Sequence, residues 1–292
     1  MAGDPAAAAE QYRASLGADA PPGGETEALR AAAWKAIGPL PLDPTPLLGQ
    51  PQAIAATTRE MPLVASAGPI SVHAREAALG AEVLAAAQHA AEEIARWAGP
   101  DALKVAVAIV VLDSRGQFRE VTGQAPGVDG VTMGHRPGST GDWLIYSFVG
   151  AHGLAARVIP HEMTHALVGA AIGRGGLPLW LNEGLAMSSE PDAGAGHVQG
   201  YRRAFAAGTA LPIEELVRLR GYPSDYNQID SYYAGAAALT TFLIQAADRE
   251  KLLALGRRAA ANGMDAAMRE GYAGFGSLDE VLVAFQGWLR SP

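Results

Sequence analysis

Apolar positions along the chain change period several times, and each change marks an element. Val83, Ala87, Ala90, Ile94 and Trp97 recur every three or four residues, the stripe of an amphipathic helix over about 81–98, which Gly99 and Pro100 end. The run LKVAVAIVVL at 103–112 is apolar without alternation, β-branched and too short for a buried helix. It predicts a central strand covered on both faces. A short strand at about 70–73 precedes the helix. Gly116 and Gly123 suggest a hairpin through 118–121, and 128–133 and 143–149 read as two more strands. The last of these, in DWLIYSFVG, is expected to edge the functional cleft.

From residue 158 the pattern becomes helical. The segment HALVGAAIG runs into Gly173, Gly175 and Gly176, where the chain can turn, and Pro178 stands near the start of a new apolar segment, LWLNEGLAM. Turn-rich interruptions are expected at 190–200 and 221–225. SYYAGAAALTTFLI reads as a strongly apolar helix, and Ser277-Leu278-Asp279-Glu280 is a capping box opening a last helix through Trp288. Strands before the change and helices after it predict an α+β fold, a small mixed β-sheet followed by a mainly helical part. Before residue 60 the pattern weakens. Two short alanine-rich helices, about 5–15 and 26–37, flank the breaker Ala20-Pro21-Pro22-Gly23-Gly24. Pro39, Pro41, Pro44, Pro46 and Pro51 then make 38–54 an extended linker. The expected organisation is an N-terminal helical arm and linker at 1–59 and a main domain at 60–292, sheet-rich over 60–157 and helical over 158–292.

Composition narrows the function classes. With 292 residues, 49% of them hydrophobic, the chain can bury a sizeable core. A net charge of -8 without a basic stripe argues against nucleic acid or an anionic membrane surface as partner. The longest clean apolar run, 105–112, is far short of the roughly 18 residues a membrane span requires. The absence of cysteine excludes disulfides and thiolate chemistry. The opening MAGDPAAAAEQY has neither the basic nor the apolar region of a signal peptide. Both a cytoplasmic location and an extracytoplasmic one after removal of a leader stay open.

The candidate chemistry lies in the sequence His161-Glu162-Met163-Thr164-His165. On a helix, positions i and i+4 share a face, so both imidazoles can aim at one point, with Glu162 beside them. The turn at 173–176 lets a second helix carry Glu183 back towards the histidines. A catalytic zinc takes three protein ligands and keeps one position open, and His161, His165 and Glu183 make that set, with Zn2+ as the expected cofactor. Glu162, next to a ligand but offset from the metal, suits the general base. His73, His89, His135, His152 and His197 have no partner at ligand spacing and read as structural or surface residues. The glycine-rich GRGG and GAG lack the strand-loop-helix context of a phosphate site.

HEMTH, 17 intervening residues up to Glu183 and the stretch WLNEGLA from Trp180 to Ala186 together resemble the gluzincin metallopeptidases of the peptidase MA group. The likeness is greatest to aminopeptidase N-like and MA-like domains. It implies a thermolysin-like catalytic domain with a zinc cleft between a sheet half and a helical half, and hydrolysis of peptide or protein substrates with Glu162 as base. Tyr232-Tyr233-Ala234-Gly235-Ala236 resembles the Y-x-K-G-A stretch that carries the family's transition-state tyrosine. Tyr232 is at the matching place and Ala234 stands where lysine is usual; Tyr233 remains the alternative. Three family features are missing. Met187 occupies the position where thermolysin-like enzymes keep an acidic residue behind the site, and no histidine follows His197. The G-x-M-E-N strand that holds a substrate's free amine in aminopeptidase N-like enzymes is absent, and Asp129 and Asp142 are the only acids in the 128–149 strands. The resemblance therefore favours an endopeptidase or oligopeptidase over two alternatives, an aminopeptidase and a non-catalytic zinc-binding interaction module.

Overall fold

The alternation of apolar runs over the first half of the main domain resolves into strands β1 (Leu63–Ala67) and β2 (Ile70–His73), helix α1 (Ala77–Ala98), strand β3 (Val107–Leu112), helix α2 (Arg115–Thr122), strands β4 (Gly130–Met133) and β5 (Trp143–Phe148), and helix α3 (Ile159–Ile172). The computed structural model describes residues 61–124, 127–133, 143–172, 176–190, 193–223 and 225–291. The helices expected at 5–15 and 26–37, the linker at 38–54, His135 and Asp142 lie outside these residues. The chain divides after Ala171 into two compact units.

In the first unit the strands form one sheet in the order β1-β2-β3-β5-β4. β2, β3 and β5 run parallel, while β1 and β4 are antiparallel edges. All six residues of β3 are buried, as its unbroken apolar run predicts for a strand at the centre of a parallel sheet. Ala108, Val110 and Leu112 alternate onto one face, where they join Leu144, Tyr146 and Phe148 of β5 and Phe118 and Val121 of α2 in a core. α1 packs on β1 and β2, and it approaches so closely at Gly80 that a Cβ there would run into Val64.

The hairpin expected at 118–121 is instead helix α2. Ser114 caps it, its hydroxyl accepting from the Gln117 N–H at 3.2 Å, while the Gln117 side chain accepts from the Asp113 N–H at 2.9 Å. Gly123, at φ 67°, is its left-handed C-cap and not a hairpin turn. Phe118, Val121 and Thr122 are buried at i, i+3 and i+4, which is a helical period.

The second unit is helical: α4 (Leu179–Met187), α5 (Ala193–Ala206), α6 (Ile213–Leu216), α7 (Tyr226–Ala246), α8 (Arg249–Asn262), α9 (Met264–Arg269) and α10 (Leu278–Arg290). α7, the apolar helix of the sequence, is the hub against which α4, α5, α6, α8 and α10 pack. Residues 193–200, expected as part of a turn-rich interruption, are the first half of α5. Packing of Val198 and Tyr201 and contact with α7 outweigh the roughly 1 kcal/mol that each interior glycine costs a helix. Ser277 caps α10 as the sequence predicts, accepting from the Glu280 N–H at 3.2 Å, and Glu280 reaches back to the Gly276 N–H at 2.9 Å. Among the described residues no helix is long and apolar enough to cross a membrane. The architecture is thus mixed α and β, with a small mixed sheet and a helical remainder.

Two buried phenols pin this helical unit. Tyr201 donates to the Leu211 carbonyl at 2.8 Å and Tyr272 to the Leu243 carbonyl at 2.9 Å. Burial, then the charge of Asp248, pushes the Tyr272 phenol up to about 12; burial, then Glu214, raises that of Tyr201. A folded state that holds these phenols neutral keeps their full contribution below the unfolded value of 10.0 and loses it as pH rises through the folded values. The melting temperature, followed at constant ionic strength, is expected to fall between about pH 10 and 12, and Tyr272→Phe to remove part of that fall. A wild-type profile flat across that window would contradict the assignment.

Candidate metal centre

A π-helical turn, Leu154–Val158, leads into α3 from the left-handed Gly153 (φ 66°). Glu162, Met163, Thr164, Ala166, Leu167 and Val168 are buried, while His161 and His165 lie half-buried on the helix's open stripe. One turn apart, their Nε2 atoms converge to 3.1 Å, with the rings nearly perpendicular at 79°. A tetrahedral zinc shell with Zn–N near 2.0–2.1 Å places its ligand atoms about 3.3 Å apart, so this spacing suits a shared ion.

Glu162 is only 6% exposed and faces the sheet. The Thr132 hydroxyl lies 2.7 Å from its Oε2 and 2.9 Å from its main-chain carbonyl, sharing one hydrogen between two acceptors. At Gly130 a Cβ would stand 2.8 Å from Glu162 Oε1 and 2.6 Å from Val158 Cγ1, so only glycine admits the carboxylate there. Both residues belong to β4. The strand expected to border the site was 143–149, but β5 lies inside the sheet and the antiparallel edge strand β4 is the one that meets Glu162. Asp129, just before β4, is bracketed by Arg115 at 2.8 Å and Arg157 at 3.1 Å. Its carboxylate is engaged in fixing β4 against the π-helical turn.

Glu183 is 1% exposed on α4. Pro178 ends the preceding extended segment at ψ 139°, and its carbonyl accepts from the Leu181 and Asn182 N–H groups as α4 begins. Gly184 lets α4 lie directly on α7, since a Cβ there would run into the Thr240 hydroxyl and stand 2.5 Å from the Ala236 carbonyl oxygen. Around Glu183 stand three tyrosines. The Tyr222 hydroxyl donates to Glu183 Oε1. Its ring stacks on Tyr233 at 5.9 Å and meets Tyr232 edge-on at 6.1 Å. Tyr232 is fully buried, and its hydroxyl has no hydrogen-bond partner among the described residues. Burial, and after it the charge of Glu183, raises both phenols above the usual tyrosine range, so each stays a neutral donor. Tyr222 keeps 39% of its surface exposed, yet its hydroxyl end is enclosed against Glu183.

The ligand atoms of His161, His165 and Glu183 all lie within 4.8 Å of one another, a group that could hold a metal ion. Two imidazole nitrogens and a carboxylate oxygen are a donor set that suits zinc. The remaining described histidines stand apart from it. His73 is buried with Nδ1 3.2 Å from the Met61 carbonyl, His89 and His152 are exposed, and His197 is half-buried on α5. Sequence reasoning missed Tyr222, Thr132 and Gly130. No periodicity ties residue 222 to 183 or 132 to 162, and only the neighbouring turn signal Gly221-Tyr222-Pro223 was visible.

The glycines separate tight positions from open ones. Gly184→Ala is expected to destabilise the protein by about 1–3 kcal/mol through overpacking against α7. Gly196→Ala, where a Cβ meets nothing within 4 Å on α5, should stabilise it by about 0.4–1 kcal/mol. Urea denaturation of the two variants checks the contrast, and equal effects would contradict the packing described.

No protein-family model, curated protein or solved structure matches the chain.

Proposed function

We propose that the protein is a zinc-dependent peptidase of the gluzincin, peptidase MA-like kind, with a thermolysin-like catalytic arrangement, acting on peptide or protein substrates as an endopeptidase or oligopeptidase. The observation that carries this reading is the gathering of His161, His165 and Glu183 donor atoms within 4.8 Å, with Glu162, next to His161 in the chain, held by Thr132. Zinc, when bound to such a set, lowers the pKa of water to around 7 and polarises a carbonyl. The chain's own groups supply the rest. Glu162 is the base that takes the proton of the attacking water and passes it to the leaving amine. Thr132, on Oε2, fixes the carboxylate's orientation and leaves Oε1 for that exchange. Tyr232, neutral and with an uncommitted hydroxyl, is the donor for the oxyanion that develops on the substrate. A buried hydroxyl without a partner costs about 1–3 kcal/mol, a cost that a catalytic role would explain. That Asp129 is engaged by two arginines favours internal cleavage over anchoring of a free amine.

Elemental analysis is expected to find one zinc per chain, lost when His161, His165 and Glu183 are all replaced by alanine. Stoichiometric metal surviving the triple replacement would overturn the ligand assignment. Glu162→Gln should keep the metal and lower turnover at least about 10²-fold, since an amide cannot accept the proton. Unchanged turnover would exclude Glu162 as the base. Tyr232→Phe should lower kcat about 10-fold to 10³-fold with little change in KM, because the donor acts only once charge has developed. An effect on KM alone would remove Tyr232 from that role.

A further inference from the structure

We infer that Tyr222 is a positioning residue for the Glu183 carboxylate, holding Oε1 so that a metal would be met through the carboxylate's second oxygen. The inference rests on the zinc reading above. A glutamate's terminal torsion is broad and roughly two-fold, so an unrestrained carboxylate turns between orientations and presents its oxygens interchangeably. Here one orientation is selected from outside the helix that carries it. Tyr222 lies in the segment between α6 and α7, and its hydroxyl donates to Glu183 Oε1 on α4. The donor is itself braced. Its ring stacks on Tyr233 with an interplanar angle of 29° and abuts Tyr232 at 89°, and these two tyrosines ride on α7.

Two of the three hydroxyls have separable roles on this geometry. Tyr232 is buried with an uncommitted hydroxyl, whereas the Tyr222 hydroxyl is committed to a proposed ligand. Partners behind metal ligands typically contribute 10-fold to 100-fold in metal affinity by fixing ligand orientation. Met187, at the position where the resembled enzymes carry an acidic partner, is a buried core residue and supplies none.

The test is zinc affinity, measured on the full chain by competition with a chromophoric chelator, for wild type, Tyr222→Phe and Tyr222→Leu. Tyr222→Phe keeps the stacked ring and removes only the donor, so it is expected to bind zinc about 10-fold to 100-fold more weakly, as is Tyr222→Leu. Wild-type affinity in Tyr222→Phe with a loss only in Tyr222→Leu would show that the ring merely packs, and would overturn the assignment while leaving the zinc site standing. A wild type that takes up no zinc would overturn both. Should Tyr222→Phe fail to fold, a zinc-bound crystal structure of the wild type decides. The Tyr222 hydroxyl on the Glu183 oxygen that does not touch zinc supports the assignment, and a hydroxyl elsewhere overturns it.

Discussion

A carboxylate that is 1% exposed and held by the Tyr222 hydroxyl, and two imidazole nitrogens 3.1 Å apart, gather donor atoms that a cation would complete. Removing an ionised carboxylate from water costs several kcal/mol unless it is paired or hydrogen-bonded, and two imidazoles so close cannot both carry a proton between them. The donor set therefore makes physical sense as a metal site, and much of the surrounding construction can be read as what holds it. Their spacing of one turn on α3 puts the two histidines on its open stripe. Gly130 and Thr132 seat Glu162 against β4. Gly184 brings α4 onto α7, the helix that carries Tyr232 and Tyr233.

The buried phenols of the helical unit are not all satisfied alike. Tyr201 and Tyr272, away from Glu183, donate to carbonyls and stabilise the fold in the ordinary way. Tyr232 is equally buried and donates to nothing among the described residues. A fold selected for stability alone would have phenylalanine there, or a partner for the hydroxyl. On the proposed reading, the partner is the substrate's oxyanion at the moment charge develops.

The sequence made some of this legible for a simple reason: a helix's period is fixed. His161, His165 and the apolar stripe of α1 could be placed without knowing anything distant, and the unbroken β3 run could belong only to a covered strand. Nonlocal order was less visible. That β4 and not β5 is the edge follows from strand pairing, which residue types alone do not specify, and so the residues that touch Glu162 were missed. α2 was misread because glycines at 116 and 123 look alike in sequence, although one sits inside a helix and the other caps it; the better signal was Ser114 three residues before Gln117. α5 was misread because its glycines are poor helix formers, a local preference that packing against α7 overrides. Tyr222 reaches Glu183 from a turn 39 residues away, a contact written in tertiary geometry only.

The central claim is that this gathered donor set, once loaded, hydrolyses peptide bonds within a chain. The most direct measurement incubates zinc-loaded protein with a mixed peptide library and reads the products by mass spectrometry, alongside protein stripped by chelation and then reloaded. The account predicts new termini at internal positions, abolished by stripping and restored by zinc. An intact library under zinc-loaded conditions would contradict it.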